Sequence, residues 1–465
     1  MHIAILGNSI LGLMTARAWL LAQPGVQLTI VGRSHRPGSA SMAAAAMLNS
    51  FAELEHDSLG TELDRFKFDL SRAATALWPA VFAQICPDRQ AVAQGFGTYI
   101  LNNAVTDELD DDNFGAIRRF ADEFAEPYTE VDPAQIPNYQ PEPRHRALRA
   151  LLLKREGWVN PKQFLRALQH WLEQHPQVQW RDTEVTRLDI RQGRVQAAGL
   201  AEGAPLAADD YVLANGANLT RVLKDSAPEL PVQRLFYGVG VSLELQYAQH
   251  VHTHCVRTPN RGLACGVYSV PYGPEQTLIG ASNYISPVSL DQAHVGSTYT
   301  LLKAAMEQIN FNFYRASIAN VNVGWRPTTS DTYPLFGATS IKGLWIIGGT
   351  KRDGFHLSPV ICGDLVGLMR GEAIAPGYAQ LAPERALIRN MSREAAIEKA
   401  VRHQLNASYQ HDFVSAKNRM VEQLRNAYRA DLEALHDKVG AHEWGIPPEL
   451  LDMYRYGHIP GTPRS

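Results

Sequence analysis

The chain has 465 residues, of which 45% are hydrophobic and 20% are charged, so its composition is that of a globular protein and not of a disordered or fibrous one. Its formal net charge of -3 provides no overall attraction to nucleic acid or to anionic membranes, and we expect neither as a partner. The length favours two domains with an appendage.

The first thirty residues predict a strand, a glycine-bearing turn, a helix and a second strand. Residues 2–6 form a short apolar run, residues 11–22 are rich in helix-forming side chains, and residues 26–31 return to β-branched ones. A βαβ unit of this kind is typical of dinucleotide-binding folds, which are built on a parallel sheet. We see no leader ahead of this unit and no apolar run of membrane-spanning length, so we expect a cytoplasmic protein.

The middle of the chain alternates between helical and β-rich patterns. Residues 50–85 predict an amphipathic helix, and the proline-rich residues 88–149 predict mostly loop, with the acidic run 107–112 as a solvated part of it. Apolar residues at three- and four-residue spacing predict a helix over 161–175. Strands follow over 178–213 and 236–286, and a strand, a glycine-rich loop and a helix over 321–367.

The segment from about residue 371 onward has a different pattern. Apolar residues such as Ile397, Val401, Leu405, Leu432 and Leu435 recur mostly every three or four positions, which predicts amphipathic helices. One interpretation is a helical extension packed on its own chain. The other is a lid or an interface in a homo-oligomer, and the periodicity is compatible with both.

The cysteines and histidines do not predict a metal site. Cys86, Cys255, Cys265 and Cys362 form no C-x-x-C pair, and such sparse cysteines favour a reducing compartment. The histidines at 252 and 254 stand beside Cys255, but no second group of ligands follows them.

Residues 7–12 have the form G-x-S-x-x-G between the first strand and the first helix. Gly7 permits a tight turn, Gly12 permits close packing of the helix, and the helix N-terminus offers free N–H groups to a pyrophosphate. Ser9 replaces the usual second glycine, and its hydroxyl is a candidate helix cap or phosphate ligand. Gly32 stands where an acidic ribose ligand is common. Arg33 follows it and is a candidate to stack on adenine or to bind a phosphate. Because that phosphate could be the 2′-phosphate of NADP, an NADP-dependent reductase stays an open alternative.

Three linked elements between residues 324 and 359 give a more specific signal. They are Gly-Trp-Arg-Pro at 324–327, a D-x-x-P-x-x-G turn from Asp331 to Gly337, and a glycine-rich loop at 348–354 with Arg352. They resemble the closing segment of the D-amino-acid oxidase and glycine oxidase family of FAD-dependent oxidoreductases. The small residues 39–48 resemble the segment that this family places under the flavin, with Ala46 in place of a glycine. Residues 159–161 and 213–217 match further family segments.

The resemblance spans residues 1 to about 370 and implies a mixed α/β and α+β architecture. A Rossmann-type FAD-binding domain (residues 1–80, 155–230 and 320–370) would be interleaved with a β-rich substrate domain (81–154 and 231–319). Residues 371–465 would form a helical C-terminal extension. No cysteine stands beside Arg326, where covalently flavinylated relatives carry one, so we expect noncovalent FAD.

The resemblance also assigns site residues. Arg326 corresponds to the arginine that holds the substrate carboxylate, for which a planar guanidinium is suited. Arg352 and Tyr268 correspond to further substrate-side positions, and a helix starting at Ser358-Pro359 would point its positive end at the flavin. The residues expected at the cofactor are Gly7, Ser9, Gly12, Arg33, Ser39, Ser41, Ala45, Ala46, Met47, Gly216, Gly349, Lys351, Asp353, Gly354 and Phe355.

The predicted function is therefore the oxidation of an amine by hydride transfer to flavin, which yields an imine. The substrate class is an amino acid, glycine or N-substituted glycine, and the electron acceptor is O2 or another oxidant. An oxidase that tailors a larger amine in a biosynthetic pathway is the alternative. The NADP-dependent reductase and a scaffold with a vestigial flavin site are weaker hypotheses.

Overall fold

The computed structural model describes residues 1–88, 91–103, 105, 107–247, 252–280, 282–410 and 418–459. The helices are α1 (Ile10–Ala22), α2 (Ala40–Ala43), α3 (Glu62–Ile85), α4 (Glu108–Glu123), α5 (Pro161–Glu173), α6 (Leu219–Ser226), α7 (Val295–Gln308), α8 (Gly354–Met369), α9 (Arg393–Gln410), α10 (Asn418–Lys438) and α11 (Leu451–Arg455). The strands are β1 (His2–Leu6), β2 (Gln27–Val31), β3 (Met47–Leu48), β4 (Gln94–Asn103), β5 (Tyr128–Val131), β6 (Ala147–Val159), β7 (Val178–Arg181), β8 (Val185–Arg191), β9 (Arg194–Leu200), β10 (Asp210–Leu213), β11 (Leu235–Gln246), β12 (Cys255–Arg257), β13 (Tyr268–Gly273), β14 (Gln276–Gly280), β15 (Tyr284–Ser286), β16 (Ser317–Thr329), β17 (Leu335–Ala338) and β18 (Leu344–Gly348).

A mainly parallel sheet with the order β17-β18-β10-β1-β2-β7 carries the N-terminal βαβ unit. Strand β1 pairs in parallel with both β2 and β10, while β17 runs antiparallel at the edge. Helices α1, α3, α5 and α8 bury one face of this sheet, and α6 with the β8–β9 hairpin buries the other. Because both faces are covered, the central strands are almost entirely apolar, as a parallel sheet requires.

A larger mixed sheet follows the order β15-β11-β14-β13-β12-β4-β6-β3. The long strand β16 pairs antiparallel along β11, from Leu235 opposite Thr329 to Gln246 opposite Ser317. Helix α7 packs on this sheet through an apolar cluster that includes Leu301 and Ala305. The parallel sheet, the mixed sheet and the helical C-terminal part confirm the predicted fold class.

The C-terminal segment packs on its own chain. Apolar side chains of α9, α10 and α11 form one cluster together with Phe236 of β11, which is completely buried. This contact joins the C-terminal helices to the mixed sheet, as the first of the two interpretations predicted.

Two of the predicted elements were wrong in their bounds or type. Helix α3 begins at Glu62 and not at residue 50, because Thr61 Oγ1 accepts a hydrogen bond from the Asp64 N–H (3.1 Å) as an N-terminal cap. Residues 88–149 are not mostly loop, since they contain β4, α4, β5 and the start of β6.

The acidic run at 107–112 is helical and not a loop, although Glu108, Asp111 and Asp112 are exposed to solvent as predicted. Asp107 caps α4, and Asp110 is a buried partner of Arg261, with 3.2 Å between Oδ2 and Nη1. The carboxylates therefore lie at the positive end of a helix, where a negative charge is stabilising.

The cysteine and histidine side chains occupy packed positions. All four cysteines are buried and unbridged. His252 is buried with Nδ1 3.2 Å from the carbonyl oxygen of Pro137, and the described ranges contain no group of residues suited to a metal ion. None of the described helices is long and apolar enough to cross a membrane.

Helix α8 begins at Gly354, so the predicted start at Ser358-Pro359 was wrong by one turn. Pro359 lies inside the helix, where it lacks the N–H that would bond the carbonyl of Phe355. The Ser358 hydroxyl donates to that carbonyl oxygen instead, at 2.8 Å. The Ser-Pro pair thus continues a helix in which the serine replaces the missing donor.

The hydrogen bond from the Ser358 hydroxyl to the Phe355 carbonyl predicts a specific effect on stability. Ser358→Ala leaves the buried Phe355 carbonyl without its side-chain donor, so the free energy of unfolding should fall by about 1–3 kcal/mol in chemical denaturation. Adding Pro359→Ala restores a backbone N–H and should recover part of the loss. A double variant less stable than Ser358→Ala would contradict this role of the hydroxyl.

Candidate active site

A cleft opens at the carboxyl ends of β1, β2 and β10 and continues along β16 to the loop before α8. Its space, including the open solvent at the mouth, is about 1290 Å³. The cleft thus joins the first glycine motif at Gly7 to the loop at Lys351 and Arg352. The site residues predicted from the sequence that line this cleft are Gly7, Ser9, Arg33, Ser39, Ser41, Gly216, Arg326, Lys351, Arg352, Gly354 and Phe355.

The glycines of the first motif set the position of α1. Gly7 has φ = 138°, and a Cβ there would collide with the carbonyl oxygen of Ala214 on the neighbouring strand. A Cβ at Gly12 would collide with the carbonyl oxygen of Gly7. Gly12 does not line the cleft, so it acts by letting the helix approach the sheet. The N–H groups at the start of α1 are thereby brought to the cleft.

Ser9 stands at the cap position of α1 without capping it through its side chain. Its hydroxyl lies 2.7 Å from Oγ of Ser39, while Oγ of Ser41 accepts from the Ile10 N–H at 3.5 Å. The suggested helix cap was therefore wrong for Ser9. The three serines instead place hydroxyl groups around the helix N-terminus, where an anion would bind.

Arg36 is the strongest cofactor-side signal that the sequence analysis missed. The residue is buried with φ = 46°, and its guanidinium donates to the Asn8 carbonyl oxygen (2.8 Å) and to Gln169 Oε1 (2.6 Å). Among the described residues it has no carboxylate partner, and it lines the cleft. Burial lowers the pKa of Arg36. A buried cation beside a helix N-terminus calls for an anionic ligand, which the diphosphate of FAD fits.

Arg33 is less available than the sequence analysis assumed. Its Nη2 lies 2.7 Å from Glu202 Oε1 in an ion pair at the mouth of the cleft. A Cβ at Gly32 would collide with the Asn8 side chain, so any larger residue at that position would require this side chain to move. The cation on which the NADP hypothesis depended is therefore already paired.

Arg326 also lines the cleft, and part of its guanidinium is uncommitted. Its Nη1 donates to the Ser282 carbonyl oxygen (2.9 Å) and to Asn283 Oδ1 (3.1 Å). Nε and Nη2 have no hydrogen-bond partner in the described part of the chain. The guanidinium passes over Gly240 of β11, where any Cβ would collide with it. Two donors thus stay free beside the cleft, as recognition of a carboxylate requires.

Arg352 and Tyr268 lie on the same side of the molecule as Arg326. Arg352 lines the cleft and its Nη1 is 3.1 Å from Sγ of Cys265. Tyr268 is buried outside the cleft wall, and a Cβ at Gly280 would collide with its hydroxyl. Burial raises the pKa of Tyr268, so the neutral phenol persists. Ala281, which follows Gly280 in the chain, lies outside the described residues.

The remaining predicted cofactor residues lie behind the cleft wall. Ala46, which replaces the family glycine, has φ = 46°, a conformation that favours glycine. Met47 pairs with Trp158, and Ala45 packs beside Tyr268. Gly349 has φ = 64°, and Asp353 stands at the cap position of α8.

The C-terminal segment contacts the surroundings of Arg326 and of Lys351. His403 Nδ1 accepts from the Leu263 N–H (3.0 Å), and the Leu263 carbonyl accepts from Nδ2 of Asn283, the residue that holds Arg326. Separately, Nζ of Lys351 lies 2.6 Å from Oε1 of Glu449. Neither Asn283 nor Glu449 belongs to a motif, so only the three-dimensional structure reveals these contacts.

The comparisons with known proteins agree with this geometry. Residues 2–368 match the family model described as DAO, FAD dependent oxidoreductase, and the chain belongs to this family. It is an FAD-binding oxidoreductase, and the cleft with its buried Arg36 fits that cofactor.

Similar proteins cover most of the chain at low identity. Iminodiacetate oxidase (IdaA) from Chelativorans sp. BNC1 has a TM-score of 0.68 at 19% identity and covers 83% of this chain and 100% of its own. Glycine oxidase from Geobacillus kaustophilus has a TM-score of 0.68 at 23% identity, with coverages of 83% and 99%. At these identities the likeness shows the fold.

A curated relative is the tRNA 5-methylaminomethyl-2-thiouridine biosynthesis bifunctional protein MnmC of Idiomarina loihiensis. It is 23% identical over 371 residues, which are 80% of this chain and 56% of the relative. The chain therefore spans only about half the length of that protein.

The role assigned to Arg36 predicts weaker FAD binding in Arg36→Met. Loss of a charged hydrogen-bond donor to the diphosphate costs about 1.5–3 kcal/mol, or about 10- to 150-fold in the FAD dissociation constant. Quenching of flavin fluorescence on binding measures this constant. Arg191→Met is the control, because Arg191 is exposed and its ion pair is with Asp189. Equal affinities of the two variants would contradict the assignment.

Proposed function

We propose that the protein oxidises a carboxylate-bearing amine (an amino acid, glycine or an N-substituted glycine) to the imine. The observation that supports this is Arg326, whose Nε and Nη2 remain unpaired among the described residues and which lines the same cleft as Arg36 and Gly7. The structures of a glycine oxidase and an iminodiacetate oxidase, similar in fold, support the same substrate class.

The protein groups act by binding and orientation. Arg326 would hold the substrate carboxylate through its free donors, Arg352 would add a second positive charge, and the buried neutral phenol of Tyr268 would support the same end of the substrate. Bound FAD supplies the acceptor for the hydride that leaves the carbon next to the amine nitrogen. Fixing the carboxylate fixes which C–H bond faces that acceptor.

The cofactor would be bound noncovalently and along the whole cleft. The diphosphate would lie at the start of α1 with Ser9, Ser39, Ser41 and Arg36, and the ring system near the loop at 349–355. The remaining assigned positions (Gly12, Ala45, Ala46, Met47, Gly349 and Asp353) would support this site from behind. Gly216 and Arg33 would contact the adenosine half.

We also propose the domain division given by the sequence analysis. Residues 1–80, 155–230 and 320–370 would bind FAD, 81–154 and 231–319 would bind the substrate, and 371–465 would form the extension. The two sheets support this division, although β6 and β16 each cross one of its boundaries.

Anaerobic mixing of the FAD-bound protein with a panel of amines tests the proposal. The panel contains glycine, sarcosine, D- and L-amino acids and larger secondary amines. We expect one class of carboxylate-bearing amine to bleach the visible absorbance of the flavin, and admission of air then tells whether O2 is the acceptor. Bleaching only by amines without a carboxylate would contradict the proposal. Bleaching only by the larger amines would favour the tailoring oxidase.

Gly240→Ala tests whether Arg326 holds the carboxylate. The added Cβ displaces the guanidinium, so kcat/KM for the carboxylate substrate should fall about 10- to 150-fold with FAD content unchanged. Gly115→Ala on α4 is the matched control, since a Cβ there meets no atom within 4 Å. The proposed role is wrong if the decarboxylated analogue of the substrate loses as much rate in Gly240→Ala as the substrate itself.

A further inference from the structure

The loop at 349–355 carries two adjacent cations, Lys351 and Arg352. One of them is neutralised by a residue from outside the range 2–368 that matches the family model. Lys351 and Arg352 both line the cleft. Nζ of Lys351 is 2.6 Å from Oε1 of Glu449, and their side chains are 16% and 14% exposed. Residues 2–368 match the family model, so Glu449 comes from the C-terminal extension.

Glu449 is held firmly in this place. It is the middle residue of a short helical turn, Pro448–Leu450, and its neighbours Pro448 and Leu450 are both buried. Leu450 belongs to the apolar cluster that joins the extension to Phe236 of β11. Lys351 is equally fixed, since its N–H donates to the carbonyl oxygen of Pro327, next to Arg326 (2.9 Å). The ion pair therefore joins the C-terminal extension to the loop beside Arg326.

The charge of Glu449 acts on both cations of the loop. Burial alone would raise its pKa, but the charges of Lys351 and Arg352 outweigh burial and hold that pKa below its ordinary value. Burial lowers the pKa of Lys351, and Glu449 counteracts it. Glu449 therefore offsets the charge of Lys351 directly, while Arg352 is influenced more strongly by Glu53 than by Glu449.

We propose that Glu449 is the counter-ion of Lys351 and thereby lowers the reduction potential of the bound FAD. Reduction adds negative charge to the flavin, and a nearby cation stabilises that charge most strongly in a site shielded from water. A carboxylate beside the cations weakens this stabilisation. Glu449 is a positioning residue, because it acts through the loop and not on the substrate.

Three variants measured without substrate test the inference. The FAD-bound full-length proteins are reduced anaerobically against redox dyes of known potential. Glu449→Gln leaves the loop cations unbalanced and should raise the potential by at least a tenfold change in the two-electron equilibrium, about 30 mV. Lys351→Met should lower it, and Lys351→Met/Glu449→Gln should return it close to the wild-type value.

The return of the double variant to the wild-type potential distinguishes a charge effect from a structural one. Lys351→Met leaves Glu449 buried without its partner and is the variant most at risk of misfolding, so Glu449→Gln and the double variant suffice as the test. Glu398→Gln is the control, because Glu398 pairs with Arg429 in the same extension and does not line the cleft. It should leave the potential unchanged.

The inference rests on the proposed FAD site and not on the identity of the substrate. An unchanged potential in Glu449→Gln, or equal shifts in Glu449→Gln and the double variant, would overturn it while the proposed function stands. A wild-type protein that binds no FAD would overturn both.

Discussion

The site depends on how closely α1 approaches the parallel sheet. Any side chain at Gly7 or Gly12 would force backbone atoms apart, because the nearest neighbours of both positions are carbonyl oxygens of the sheet and the turn. This approach brings the N-terminus of α1, the serine hydroxyls and the Asn8 carbonyl to one point. Arg36 bonds that same carbonyl. The position of the anion site therefore follows from the absence of two side chains.

Charge is distributed along the cleft in a way that suits two anionic ligands. Arg36 lines the cleft without a carboxylate partner in the described chain, and Arg326 and Arg352 line it with donor groups to spare. Other lining residues are small, such as Ser39, Ala40, Ala43 and Ala44, which suits a flat ring system. The C-terminal extension adds the missing negative charge at Lys351 and steadies Arg326 through Leu263 and Asn283. The extension is thus in contact with residues that line the cleft or hold them.

Much of this arrangement was predictable from sequence because it rests on backbone geometry. Gly7, Gly12 and the loop at 348–354 mark turns and close approaches that few other residues permit, and Ala46 occupies a glycine-like conformation in the segment where the family has glycine. The family spacing around Arg326 predicted its place in the cleft. The C-terminal helices and their packing on the same chain followed from apolar periodicity.

The parts that sequence did not predict depend on tertiary partners. The sequence analysis named Arg33 and not Arg36 as a cofactor ligand. The neighbouring sequence does not show that Arg33 pairs with Glu202, which is more than a hundred residues away. The acidic run at 107–112 was misjudged because its partner Arg261 comes from another element. The start of α8 was misplaced because a serine side chain, and not a backbone N–H, satisfies the carbonyl facing Pro359. Asn283 and Glu449 belong to no motif.

A crystal structure of the FAD-bound protein with a small carboxylate such as acetate or glycolate would locate both anions. We expect the diphosphate beside Arg36 and the start of α1, and the carboxylate on the free donors of Arg326. A diphosphate bound away from α1, or a carboxylate bound at a site that does not include Arg326, would contradict this expectation.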